Sequence, residues 1–112
     1  MKTSYFGNPA IHNNANAVSI ARWPPRWWGS RPRYMSLAPS ADLLRRSKSG
    51  LPWEEYVKEY RESVLANLDP SQVYADLSDK ILLCWETTNE ECHRRLVAEW
   101  LEKALNIRVP EL

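Results

Sequence analysis

The run KILLCW, Lys80 to Trp85, constrains this chain more than any other stretch. It is apolar without interruption after its lysine, and it has the length of a strand. A strand with one wet face alternates apolar and polar residues; one covered on both faces does not. The run therefore predicts a strand at the centre of a sheet. Parallel pairing needs long crossovers, so helices are expected on either side of it in the sequence.

The flanking patterns supply them. Trp53, Tyr56, Val57, Tyr60, Val64 and Leu65 recur at three- and four-residue spacing from Pro52 onward, with Glu54, Glu55, Lys58, Glu59, Arg61 and Glu62 on the opposite face. Pro52 suits the first helical position, and the two glutamates suit the positive end of the helix dipole. Asp69-Pro70 ends this helix, and Asp69 caps a shorter one through about Leu77. A last helix is expected from near Glu90, capped by Asn89, to about Asn106. Upstream, KTSYF (2–6) and AVSIA (17–21) read as strands separated by the loop GNPAIHNNAN. The alternation predicts a small layered α/β fold with a mostly parallel three- to four-stranded sheet flanked by helices. At 112 residues the chain has material for one core, hence a single domain over 1–112.

Between Ala21 and Met35 stands RWPPRWWGSRPRY, whose three prolines and one glycine rule out regular structure. Residues 1–41 carry Lys2, Arg22, Arg26, Arg31 and Arg33 and no acid, whereas residues 42–112 carry 10 basic and 14 acidic groups. One side of the fold should therefore draw anions. Arginine beside tryptophan also makes a surface on which bases stack and phosphates pair, so Arg26, Trp27, Trp28, Arg31 and Arg33 form a candidate nucleic-acid site. The plainer role is structural. Three tryptophans in six residues are too many to be all exposed; at least one should be core and one should line a pocket.

The stretch LLCWETTNEECHRR joins the apolar strand to the last helix. On a helical wheel the buried stripe centred on Leu96, Val97, Trp100, Leu101 and Ala104 includes His93, at roughly 100° from Cys92, while Arg95 falls near roughly 300°, toward solvent. His93 should point inward beyond the end of the strand. Parallel sheets bind ligands beyond the carboxyl ends of their strands, and Arg22-Trp23 leaves the second strand at that same edge. The candidate chemistry follows. Cys92, in the first turn of a helix, is a possible nucleophile or redox group. Glu86 is a possible general acid or base with its pKa raised beside Trp85, and His93 a proton carrier. Arg22 and Arg94 would hold an anion, with Trp23 and Cys84 lining the pocket. Each also has a structural reading: buried small hydrophobe for the cysteines, ion pairing for Glu86, a packed ring for His93.

No cofactor is expected. Zinc is the alternative, since Cys84, Glu86, Cys92 and His93 offer suitable donors, yet adjacent residues on one helix point about 100° apart and rarely share an ion. Two cysteines eight positions apart are no secreted disulfide framework, and the N-terminus MKTSYFGNPAIHNN lacks the apolar core of a signal peptide or anchor. A cytoplasmic protein without membrane contact is expected, with a small anionic ligand or nucleotide as partner and nucleic acid as the alternative. Nucleotide-binding fingerprints, phosphate loops and nucleophile elbows are absent.

The segments SIARWPPRW, YMSLAPSADLL, WEEYVKEYRESVLANLD and LLCWETTNEECHRRLVAEWL resemble the family known as domain of unknown function 488, small cytoplasmic α/β proteins of bacteria and their viruses. The resemblance covers nearly the whole chain and is most specific at Cys84-Trp85-Glu86, at Cys92-His93-Arg94 and at Arg22. It implies the fold and a pocket whose far lip is formed by Tyr34 and Leu37-Ala38-Pro39. It implies no particular reaction.

Overall fold

The computed structural model describes residues 1–86 and 91–112. Among them are three strands, β1 (Lys2–Tyr5), β2 (Ala17–Ser19) and β3 (Ile81–Cys84), and four α-helices, α1 (Ala41–Lys48), α2 (Trp53–Ser63), α3 (Pro70–Leu77) and α4 (His93–Leu105). The sheet is parallel throughout, in the order β1-β3-β2. Its centre is the apolar run, all four residues of which are buried.

The two faces of β3 are covered differently. Leu82 packs with Val18 of β2 into a core built by the helices, including Tyr60, Val73, Val97 and Leu101. Ile81 and Leu83 point the other way, as alternation along a strand requires, and meet Ala17, Phe6, Ile11, Ala21 and Trp28. That second face is thus closed by loops. Trp28, 2% exposed, sits in a 3-10 turn over Arg26–Trp28 and donates from Nε1 to the carbonyl of Pro32 at 3.1 Å. The proline-rich segment is a cover for the sheet.

Helix limits follow from local chemistry. Asp69 caps α3 by accepting from the Ser71 N–H at 3.0 Å, as expected. Pro52 stands one position earlier than expected, as the cap of α2. Helix α1 is absent from the sequence reading; Ser40 caps it by accepting from the Leu43 N–H, and Leu43 is its one buried side chain, too thin a stripe to register as periodicity. The last helix begins at His93, with Cys92 in extended conformation as its cap; the expected cap Asn89 and first-turn Glu90 lie outside the described residues. The C-terminal segment returns beside β1: the Thr3 N–H donates to the Pro110 carbonyl at 3.0 Å and the Leu112 N–H to the Thr3 carbonyl at 2.7 Å. It thereby adds a single bridge, Thr3 to Glu111, at the sheet edge. No described helix is long and apolar enough to cross a membrane.

Candidate functional site

The carboxyl edge of the sheet opens into a cleft of about 690 Å³. The segment after β2, remote in sequence, meets there the two ends of the turn between β3 and α4. The exit of β2 brings Arg22 and Trp23, the exit of β3 brings Cys84, Trp85 and Glu86, and the start of α4 brings Cys92 and His93. Helices α1 and α2 close the far wall with Lys48, Trp53 and Tyr56. The expected meeting of the Arg22 segment with the cysteine/histidine turn is therefore present in the geometry.

Arg22 is half-buried, and its Nε donates to the Pro39 carbonyl at 2.5 Å, so that residue of the expected far lip is in place. Tyr34 is not. Its hydroxyl donates to Asp76 at 2.6 Å, outside the lining of the cleft, and burial together with that carboxylate pushes its pKa up to about 12. Leu37 is fully buried and accepts from the Tyr60 hydroxyl at 2.6 Å.

His93 points inward as the wheel predicted, 6% exposed, edge-on to the Tyr60 ring. Its Nε2 stands 2.9 Å from the Ile20 carbonyl oxygen. A carbonyl only accepts, so Nε2 carries the proton, and in the neutral ring Nδ1 presents a lone pair toward Cys92 Sγ, 3.8 Å away. Burial pushes the imidazole pKa down to about 4, the Ile20 carbonyl opposing and the Arg94 charge reinforcing the shift. The ring is neutral at pH 7, which favours a fixed acceptor over the expected proton carrier.

Cys84 and Cys92, 1% and 4% exposed, form a disulfide. The Cys84 sulfur also receives a hydrogen bond from Arg94 Nη1 at 3.0 Å, and Glu86 Oε2 lies 3.9 Å from it. Glu86 itself is exposed at the cleft mouth, and the Trp85 indole beside it donates to the Trp23 carbonyl at 2.7 Å.

Arg94 does not line the cleft. It is 1% exposed beneath it, paired with Glu111 at 2.8 Å and donating to the Glu86 carbonyl at 2.6 Å. Burial pushes the Glu111 carboxyl up, but hydrogen bonds from Arg94 and Thr3 and the charges of Arg94 and Arg95 leave its pKa below the usual value. Arg95 likewise departs from the wheel: its Nη1 donates to Thr3 Oγ1 and the Val109 carbonyl at 2.7 and 2.9 Å, because the C-terminal segment folds back over that side of α4.

Among the described residues, Cys84, Cys92 and His93 are a group whose donor atoms all lie within 4.8 Å of one another. Cys92 is a cap with extended backbone, φ −148° and ψ 146°, so the rule that neighbours on a helix diverge does not separate it from His93. With the sulfurs bonded to each other, however, neither of these two cysteines offers a thiolate to a metal.

The arginine/tryptophan loop divides. Trp28 is core, whereas Trp23 and Trp27 are about half exposed, at 52% and 50%. Arg31 donates to the Trp27 carbonyl and Arg33 to the Gly29 carbonyl, and Arg31 lies 5.8 Å from the Trp27 and Trp28 ring centres. Arg26 is exposed and lines the cleft. The sequence reading missed Trp85, 54% exposed, which borders both this cleft and a second one lined by Phe6, His12, Trp27 and Arg31. Its place at the end of the apolar run was the available signal. Lys48 and Tyr56 carried none, since their nearness to the site depends on how α1 and α2 dock.

Residues 3–105 match the family model DUF488-N3a, described as the active DUF488-N3 subclade. No curated protein and no solved structure matches the chain. The match takes in both the cysteine/histidine turn and the Arg22 segment, and the chain belongs to the DUF488-N3a family.

Proposed function

We propose that the cleft at the carboxyl edge of the sheet binds a small anionic ligand of the nucleotide class and that the protein acts on it as an enzyme. The observation that carries this reading is the convergence of Arg22, Glu86, Cys92 and His93 from three separate segments on one cleft. Arg22, Arg26 and Lys48 supply positive charge around it, while Trp23, Trp53 and Tyr56 supply flat apolar walls suited to a ring. Membership of the active DUF488-N3 subclade favours catalysis over passive binding. Exposed Glu86 at the mouth and Glu91 in the lining place carboxylates within reach of a ligand, and neutral His93 lies beside Cys92. A cytoplasmic setting belongs to the same reading.

A second reading rests on a different observation. The half-exposed indoles of Trp23, Trp27 and Trp85 lie along the surface shared by the two clefts, beside Arg26 and Arg31. Such a ridge suits the stacked bases of a single strand, without catalysis.

Melting temperatures measured across nucleotides, nucleosides, simple anions and short single strands separate the two, because a ligand bound to the folded state raises the midpoint. The pocket reading expects a rise of a few degrees with a small anionic ligand in the wild type and none in Arg22→Ala. A rise confined to oligonucleotides, steeply salt-dependent and indifferent to Arg22→Ala, transfers the function to the tryptophan ridge.

A further inference from the structure

The bond between the two sulfurs at the cleft takes no part in holding an anion or moving a proton. We propose that Cys84–Cys92 is a reversible dithiol/disulfide couple that exchanges with low-molecular-weight thiols entering the cleft, those bearing an anionic end being preferred. Only the anionic preference rests on the function proposed above.

Three observations carry it. The first is position: both cysteines line the cleft, Cys84 at the end of the strand and Cys92 at the cap of the last helix. The second is the fate of the charge. When a disulfide is attacked, the sulfur that departs does so as a thiolate, and its stability governs the rate. Cys84 Sγ stands 3.0 Å from Arg94 Nη1, a donor fixed in place because the rest of the guanidinium is engaged with Glu111. A charge-assisted hydrogen bond from a buried arginine is among the strongest devices for holding a thiolate. The third is the partner of Cys92. The Nδ1 lone pair of His93, oriented by the bond from Nε2 to the Ile20 carbonyl, faces Cys92 Sγ and accepts its hydrogen once the couple is reduced.

A thiolate entering the cleft attacks Cys92 Sγ, forming a mixed disulfide; the Cys84–Cys92 bond breaks and its electron pair stays on Cys84, beside Arg94. A second thiolate attacks the incoming molecule's sulfur in the mixed disulfide. Its disulfide leaves, the electron pair returns to Cys92, and Cys92 takes one proton from solvent. Two thiols are oxidised and one protein disulfide is reduced; the reverse sequence oxidises the protein.

The test uses the full chain in its oxidised form. Mercaptoacetate, 2-mercaptoethanol and cysteamine are compared at equal thiolate concentration, and liberated cysteines are counted by alkylation and mass spectrometry while circular dichroism shows the protein folded. The expected result is opening in proportion to thiol concentration, with the anionic reagent faster than the cationic one by about tenfold. Given dithiodiglycolate, the disulfide of mercaptoacetate, Cys84→Ser should trap a mixed disulfide on Cys92 with release of one mercaptoacetate, whereas Cys92→Ser should trap little on Cys84. Opening at a rate independent of thiol concentration, limited by unfolding, would make the bond a structural staple and overturn the couple. Opening without charge preference removes the anionic specificity alone and leaves the couple. Reduced protein that binds one equivalent of cobalt(II), with thiolate-to-metal absorption lost in His93→Ala, and does not reoxidise would replace the couple with a metal site.

Discussion

One face of the sheet is closed by helices and the other by irregular chain, yet both faces are dry. On the helical face the cover is distributed over α2, α3 and α4, with many aliphatic side chains each contributing a little. On the loop face it is concentrated in a few large groups, Phe6, Ile11 and Trp28, with the Phe6 and Trp28 rings 5.5 Å apart and edge-on. A rigid indole buries much area at low side-chain entropy, and prolines remove freedom from the unfolded loop. Irregular chain can therefore do the work of a helix. The cleft lies at the seam: Arg22 and Trp23 arrive from the loop side, Cys92 and His93 from the helical side, and Cys84 from the strand between them.

Concentrated cover is vulnerable at single positions. Trp28→Ala should cost about 4 kcal/mol in urea unfolding, from lost burial and the cavity left behind. The neighbouring Trp27→Ala removes a half-exposed ring and should cost about 1 kcal/mol or less. Equal losses would mean that the two rings share the covering role and that the loop face has no single anchor.

This asymmetry also explains which features are legible in the sequence. The apolar run at β3, the three-four spacing of α2 and the Asp69 cap are local patterns, and each was legible. The inward turn of His93 followed from the stripe of α4. Helix α1 was not legible, because one buried leucine leaves no period, and neither was the role of Arg94, whose partner Glu111 lies seventeen residues away on a segment that joins the sheet by one bridge. Tyr34 was misplaced for a similar reason: its partner Asp76 belongs to α3, and sequence gives no measure of where that helix docks.

The helical face holds the ionisable group with the clearest effect on stability. In the unfolded chain the His93 imidazole takes up a proton near pH 6.5; in the folded protein it resists until about pH 4. Acidification below 6.5 therefore favours the unfolded state, and the stability present above that value falls by about 2 to 3 kcal/mol by pH 4.5. Glu111 has a folded pKa below its ordinary value of 4.5, so its stabilisation is lost only at lower pH. The interval from 6.5 to 4.5 thus isolates His93. Chemical denaturation at half-unit steps should show the loss in the wild type and a flat profile in His93→Gln; an unchanged slope in the variant would assign the loss to another group.

An effect smaller than that of Trp28→Ala or of acidification joins the helical layer to the segment leading out of the loop. Tyr60, fully buried on α2, donates its hydroxyl to the Leu37 carbonyl, and burial raises its pKa well above the usual tyrosine value, so the donor keeps its proton throughout the working range. Tyr60→Phe deletes that donor and strips a buried carbonyl of the partner, at a cost of about 1.5 kcal/mol. Its use lies in combination with Trp28→Ala. Trp28 belongs to the loop-side cluster and Tyr60 to the helical one, with the sheet between them. Independent faces predict that the double variant loses the sum of the single losses to within about 0.5 kcal/mol. A larger discrepancy would mean that the chain from Trp28 through Leu37 transmits disturbance from one face to the other, and the cleft at their seam would then feel changes made on either side.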